Sequence, residues 1–283
     1  LIYKYKKIKK NFKIKIYMSK LEMYCVTNKR LKFLESSNYN LSWVGLEECP
    51  ENYIKSNAKI NIFQKEKYYS ELTFHYWYWK NLLDLNSKNW IGFCQKRRFW
   101  SNNKINENKY LTSFNIKQNI IMEPSYEWKN YEAILCEPIN INNAKKIKMI
   151  KRGFKTLIKK PSIFFDSNKQ SIKFHFDMHH GYGNLDKAID LLGDDDKKDF
   201  RNFVNYNTSF NPHIMFISKP KIINRWFTKL FKWLENCEVI FGFEKLSGYD
   251  TQRLYAYLAE RYLSYWFKKN YKVLNWPWVF FEE

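Results

Sequence analysis

Apolar residues recur along this chain in two alternating rhythms. Short runs rich in apolar, β-branched and aromatic residues, at 22–27, 89–94, 132–136, 171–176, 213–218 and 278–281, are predicted strands. Between them, stretches with apolar positions three and four apart, at 65–83, 184–192, 195–204, 220–236 and 249–268, are predicted helices. Strands and helices in alternation indicate an α/β sheet covered by helices. Two segments lack a clear period: 101–119, rich in Asn and Lys, reads as a loop or insertion, and 140–160 reads as a basic connector. No internal repeat or Pro/Gly-rich linker divides the chain, so 18–283 is expected to form one domain, with 1–17 as a separate basic extension.

Within the predicted helix 65–83, Tyr68, Leu72, Tyr76 and Trp79 fall on one face, which makes that face core. Glu71 and His75 lie one turn apart on a neighbouring stripe, where they can bond each other or a ligand.

With 283 residues, 45% of them hydrophobic and 19% aromatic, the chain can bury a large core, which excludes a disordered protein. No apolar run approaches the ~20 residues of a membrane-spanning helix. The net charge of +21 invites a nucleic-acid reading. However, Lys, Asn, Ile, Tyr and Phe are enriched together along the whole chain, as AT-rich coding produces whatever the function. Seven of the 21 net charges also come from Lys4, Lys6, Lys7, Lys9, Lys10, Lys13 and Lys15. No nucleic-acid partner is therefore expected, and a single-stranded nucleic-acid binder that stacks bases on its aromatics stands as the competing reading. Residues 1–17 precede Met18, a candidate start. Their alternation of Lys with Ile, Phe and Tyr suits peripheral contact with an anionic membrane surface, and they lack the apolar core and cleavage site of a secretory signal. The five cysteines are scattered and form no C-x-x-C pair, which fits the reducing cytoplasm better than a disulfide framework or a thiolate zinc site.

Candidate chemistry concentrates in a few phrases. The strand at 89–94 runs into Lys96, Arg97 and Arg98, and guanidinium pairs of this kind suit diphosphates because each fork makes permanently charged, bidentate contacts. In Phe174-His-Phe-Asp-Met-His-His-Gly-Tyr-Gly-Asn184 a strand is expected to stop and a helix to open at Asn184. His175 and Asp177 would then share a strand face, with His179 and His180 in the turn, a grouping able to hold a divalent ion or to act as acid and base. Asp194-Asp-Asp196 resembles a metal-binding D-x-D pattern, but its place between two helical runs is better explained by the preference of a helix's first turn for acids. In Gly248–Arg261, residues Asp250, Arg253, Tyr257 and Glu260 form one helical stripe, and a carboxylate among aromatic rings has the surroundings that raise its pKa toward that of a general base.

Taken in order, these phrases resemble a family of bacterial capsule and exopolysaccharide glycosyltransferases, domain of unknown function 4422. The matching pieces are Tyr24-Cys-Val-Thr-Asn-Lys29, the Ser70-to-Asn81 helix, Ile91-Gly-Phe-Cys with Arg97-Arg-Phe99, Phe176-to-Ala188, Ser209-Phe-Asn-Pro-His-Ile-Met-Phe-Ile-Ser-Lys219 and the helix from Gly248 to Arg261. The resemblance runs from about residue 23 to 281. It implies a GT-A-like, Rossmann-type domain, a mixed sheet flanked by helices, that takes a nucleotide-sugar donor and transfers its sugar to a saccharide or lipid-linked saccharide acceptor. A UDP-sugar is the expected donor, with UDP-galactofuranose and common hexoses as candidates. By the same resemblance Thr27, Asn28 and Lys29 would lie near the nucleotide and Arg97 and Arg98 near the diphosphate, while Asn211, Pro212, His213, Arg253 and Glu260 would lie on the acceptor side. Among the candidate catalytic carboxylates, Asp177 is the first choice for the base, followed by Asp250 or Glu71. Metal dependence on Mn2+ or Mg2+ is open, with His175, Asp177 and His179 as the candidate ligands. Two positions depart from the family's pattern, Asn28 where a His is usual and Lys96 where an aromatic is usual, and this bears on donor choice. A non-catalytic sugar-binding relative is the third reading.

Overall fold

The computed structural model describes residues 19–102 and 110–282. The basic extension at 1–17, Met18 and the middle of the 101–119 stretch lie outside the described residues. The strands are β1 (Leu21–Thr27), β2 (Asn40–Trp43), β3 (Ile54–Lys55), β4 (Trp90–Gln95), β5 (Arg98–Trp100), β6 (Tyr110–Leu111), β7 (Ala133–Cys136), β8 (Ile139–Asn140), β9 (Ser209–Phe210), β10 (Phe216–Ser218), β11 (Val273–Trp276) and β12 (Trp278–Phe281). The helices are α1 (Glu66–Tyr69), α2 (Leu72–Asn81), α3 (Ile116–Asn119), α4 (Lys146–Lys159), α5 (Ile172–His180), α6 (Asn184–Asp190), α7 (Asp194–Tyr206), α8 (Pro220–Phe241) and α9 (Leu254–Asn270).

The central sheet has the order β11-β7-β10-β4-β1-β2-β3. β1 runs parallel to β2 and β4, β2 parallel to β3, and β7 parallel to β11. Along this path β10 alone is reversed, antiparallel to both β4 and β7, while β5, off the path, pairs antiparallel with β4. The mixed α/β sheet expected from the sequence is thus present. Alternation along each strand divides the core between two faces. Tyr24, Val26, Ile91, Phe93 and Phe216 pack with α2, α5, α8 and α9, while Met23, Cys25, Cys94, Ile217 and Trp276 pack with β5, β12 and Trp128. At Gly92 in β4 a Cβ would lie 2.7 Å from Met23 Cε, so the sheet centre admits no side chain there.

Three expectations are corrected. The segment 171–176 is the start of helix α5, not a strand. Ile172 and Phe176 face the main core while Phe174 and Met178 face a small separate core with Met149 and Ile163, so a helix buried on two sides imitates the alternation of a strand. Ser171 caps it, its Oγ accepting from Phe174 N at 3.3 Å. The helix predicted over 65–83 is interrupted at Ser70, whose φ of 51° ends α1 and lets α2 begin after Glu71. The basic connector contains helix α4, of which only Met149 and Gly153 are buried. Gly153 is pressed so closely on α5 that a Cβ would meet Phe174 at 2.9 Å.

Asp194–Asp196 opens α7, in keeping with the preference for acids in a first turn. Asp196 is buried and accepts from Tyr262 Oη at 2.8 Å and Tyr265 Oη at 3.2 Å, with Lys229 Nζ at 3.1 Å and Lys269 Nζ at 3.2 Å. Burial alone would raise its carboxyl, but the bonds from Tyr262, Lys229 and Lys269 outweigh that and hold it below its usual range. A carboxyl depressed in the folded state contributes stability above its unfolded pKa and loses it as pH falls through the folded value. Asp196→Asn should cost about 2 kcal/mol at neutral pH, and that cost should shrink below about pH 4. Urea unfolding of parent and variant at several pH values checks this, and a pH-independent difference would refute it.

Candidate active site

In an open α/β sheet, ligands bind beyond the carboxyl ends of the strands where the strand order reverses direction. Here β2 and β3 lie on one side of β1 while β4 lies on the other, so the switch point falls between β1 and β4. A polar cleft opens there in two adjoining parts. One is lined by Thr27, Asn28, Glu66, Glu71, Lys96, Arg97, Arg98 and Arg253, and the other by His213, Tyr249, Tyr257 and Glu260; Ser70, Glu71, Gln95, Arg98 and Arg253 border both. β10 enters the sheet at the edge where β1 and β4 leave it, which is how residues before β10 reach the cleft.

The turn from β4 to β5 presents the cations. Arg97 is exposed, with its guanidinium 4.6 Å from the Phe280 ring centre on β12. Arg98 donates from Nη1 to Gln95 Oε1 at 3.1 Å, while its buried Nε has no hydrogen-bond partner, a donor left over for a ligand. Lys96 Nζ donates to Asn28 Oδ1, which ties the β1 and β4 ends together. Thr27 is buried and builds the first turn: its Oγ1 donates to Lys29 O at 2.6 Å and accepts from Lys29 N at 3.0 Å. Lys29 is exposed and does not line the cleft.

Gln95 is the hub. Its Nε2 donates to Glu71 Oε1 and to His213 O, the latter at 2.6 Å. His213 N in turn donates to Glu260 Oε1 at 2.6 Å, and Glu260 Oε2 accepts from the buried Arg261. Glu71 is half-buried, and its carboxyl is raised above the usual range by burial, which Ser70, Arg253 and Arg98 offset only in part. Glu66 is raised as well, again by burial first, with Arg253 opposing and Glu71 reinforcing. Ser70, His213 and Ile214 hold positive φ angles of 51°, 78° and 54°, so three of the four such non-glycine residues among the described residues border this cleft. Strain of that kind persists where the surrounding structure enforces it and is concentrated at functional sites.

The other candidate residues lie elsewhere. His75 makes no side-chain bond with Glu71: it is packed against Phe93, ring centres 4.4 Å apart, and burial pushes its pKa down to about 3. Asn211 is fully buried and ties strands together, donating to Cys136 O at 2.5 Å and Asn275 Oδ1 at 2.9 Å. Asp250 pairs with Arg152 at 2.9 Å, and its carbonyl is 2.9 Å from His180 Nδ1.

Because α5 is a helix, Asp177 does not share a face with His175. Asp177 accepts from Lys173 Nζ at 2.9 Å and from Gly183 N at 3.0 Å, fixing the turn into α6. The His175 and His179 rings lie 4.6 Å apart, tilted by 36°, with Arg261 3.4 Å from His175 Nδ1 and Arg152 3.4 Å from His179 Nδ1. Burial first pushes their pKa values down to about 2 and about 4, aided by Arg261 at His175 and by Lys148 and then Arg152 at His179. A cluster flanked by two guanidinium groups, with its carboxylate turned away, does not fit a divalent ion, and no group of three His, Cys, Asp or Glu among the described residues has that arrangement.

A larger cavity, about 680 Å³, is remote from the sheet edge, between the start of α7, α8 and the end of α9. The cleft is identified by position and chemistry, not by size. Ser70, Glu66 and Gln95 were not singled out in the sequence. A continuous helix would have turned Glu66 and Glu71 to different faces, and only the interruption at Ser70 brings both to the cleft.

Residues 22–271 match the family described as a domain of unknown function (DUF4422). No curated protein matches the chain. Among solved structures, the apo form of WbbM, a bifunctional glycosyltransferase, is similar with a TM-score of 0.56 at 16% identity, over 93% of this chain and 45% of that one. The chain thus spans less than half the length of that neighbour, and the likeness is one of fold.

Proposed function

The chain belongs to the domain of unknown function 4422 family, and from the chemistry of its cleft we propose that it is a glycosyltransferase that takes a nucleotide-sugar donor. The observation that carries this reading is the conjunction, at the switch point of the sheet, of Lys96, Arg98 and Arg253 with the half-buried carboxyl of Glu71. The cations hold the donor diphosphate and offset the charge that develops on it as it leaves. In an inverting transfer an acceptor hydroxyl oxygen attacks the anomeric carbon while the bond from that carbon to the diphosphate oxygen breaks. The bonding pair goes to the diphosphate, and the hydroxyl proton passes to Glu71.

Asn28 and Lys96 border the nucleotide side, and His213, Tyr249, Tyr257 and Glu260 form the acceptor side. The His175, Asp177 and His179 cluster does not fit a divalent ion, and the charge on the diphosphate is offset by Lys96, Arg98 and Arg253. The donor class we favour is a UDP-sugar, UDP-galactofuranose included, and the acceptor a growing surface polysaccharide or lipid-linked oligosaccharide. The nucleic-acid reading needs aromatic platforms between the cations: none of the eleven tryptophans is exposed, whereas Tyr126, Phe154 and Tyr249 are, and the binding experiment below separates the two readings.

Thermal unfolding in the presence of UDP, GDP, CDP and UDP-sugars, with and without manganese, tests the donor site. A ligand at ~100 times its dissociation constant should add roughly 2.7 kcal/mol. One nucleotide should stabilise the protein, and the Arg98→Ala/Arg253→Ala variant should lose most of that gain. Absence of stabilisation by every nucleotide, together with salt-sensitive binding of single-stranded nucleic acid, would overturn the proposal.

A further inference from the structure

Helix α4 uses only part of its apolar surface to hold itself to the protein. Met149 and Gly153 face α5 and are buried, whereas Ile147, Ile150, Phe154 and Ile158 are 70%, 51%, 59% and 65% exposed. Those four recur at i, i+3, i+7 and i+11, so they form one continuous stripe along the solvent side of the helix. The remainder of the surface is cationic: Lys146, Lys148, Lys151, Arg152, Lys155 and Lys159 are all exposed, and the helix contains no acidic residue. An isolated exposed apolar side chain needs no explanation, but an ordered stripe bordered by a single sign of charge does.

We propose that α4 lies on an anionic bilayer surface, with the stripe entering the boundary between headgroups and acyl chains and the lysines meeting acidic headgroups. Charge complementarity selects this occupant. A nucleic acid would neutralise the lysines but leave the four large apolar side chains in water. A second copy of the chain would bring the same cations together across a symmetric contact, which like-charge repulsion opposes. An anionic bilayer offers the apolar layer and the acidic layer side by side at the depths an amphipathic helix requires. Phe165, 83% exposed, follows the Pro161–Phe164 turn, where the Phe164 ring sits 5.3 Å from Lys146 Nζ, and adds an aromatic ring next to the helix.

Co-sedimentation of the full chain with vesicles tests the assignment, using phosphatidylcholine alone and phosphatidylcholine with a quarter phosphatidylglycerol. The parent should bind the anionic vesicles and be displaced by salt. The triple variant Ile147→Ser/Phe154→Ser/Ile158→Ser should bind at least tenfold more weakly, with thermal unfolding unchanged because all three positions are exposed. The single variant Phe154→Glu should weaken binding in the same direction. Failure of the parent to bind anionic vesicles would overturn the proposal, as would binding that survives the substitutions, the result expected if residues 1–17 carried it. A concentration-dependent dimer that the substitutions dissociate without lipid would assign the stripe to a second copy instead. None of these results bears on the cleft or its chemistry.

Discussion

Replacing Glu71 by Gln is expected to lower the turnover number by about 10²–10⁴-fold, the range a positioned general base supplies, with nucleotide affinity little changed. The substitution keeps the shape of the side chain and an oxygen for Gln95 Nε2 to reach, and removes the proton acceptor. Its effect on stability separates a catalytic role from a structural one. Because burial raises the Glu71 carboxyl in the folded state, the folded protein holds that proton more tightly than the unfolded chain does. Ionised Glu71 therefore opposes folding, and stability falls as pH rises from its unfolded pKa through the raised folded value. At neutral pH the Gln variant should melt no lower than the parent while losing turnover. In the parent, activity should decline on the acid side at a pH above the ordinary glutamate range, and that limb should be absent from the residual activity of the variant. A steady-state pH profile alongside thermal unfolding provides both readouts. Transfer preserved within a few-fold, or a variant that is inactive because it is destabilised, would remove Glu71 from the role of base.

Arg261→Ala should be the costliest single change in stability, about 3–5 kcal/mol by denaturant unfolding. Arg261 is 1% exposed, ion-paired with Glu260, 3.4 Å from His175 Nδ1 and stacked with its guanidinium 3.9 Å from the Phe210 ring centre. Removing it strands the Glu260 carboxylate in a poorly solvated place, and loses the packing of a long side chain. The double variant Glu260→Gln/Arg261→Met removes both charges and fills the space, so it should recover much of that loss. Since Glu260 accepts from His213 N, and His213 O from Gln95, the single variant should also disturb the acceptor side of the cleft. A cost below about 1 kcal/mol would mean that solvent reaches the pair and that Arg261 does not organise this chain of bonds.

How far the sequence reveals these features depends on whether a local rule decides them. β1, β4, β7 and β12 are legible because their residues are buried on both faces or alternate strictly. β2 and β3 are not, since these short strands owe their pairing to β1 and to each other, and no local pattern records that. α5 imitates a strand because both its sides are buried, and α4 hides because its apolar arc is broader than the part that packs. Within the site, the Arg97 and Arg98 pair could be placed at a strand end from the sequence alone, since a cationic turn after a buried strand has few other places to be. The sequence favours Asp177 over Asp250 and Glu71 as a base, yet Asp177 is bonded to Lys173 and Gly183 away from the cleft while Glu71 lines it, a difference set by the positive φ of Ser70 and by tertiary contacts that no local pattern records. Gln95 illustrates the same limit: as the last residue of a strand it looks unremarkable, and its three partners lie just before α2, at the start of β5 and before β10.

The single reversed strand has a consequence for how this molecule can change over generations. With β10 entering the sheet where β1 and β4 leave it, the cleft is built from separate lengths of chain, one between residues 26 and 98 and the other between 213 and 260, which meet at Ser70, Glu71, Gln95, Arg98 and Arg253. In a wholly parallel sheet, the segment leading into that strand would emerge on the opposite side of the molecule. Here the second length can drift, lengthen or be exchanged while the first stays constant, so one side of the cleft can diversify among relatives without forcing the other to be rebuilt.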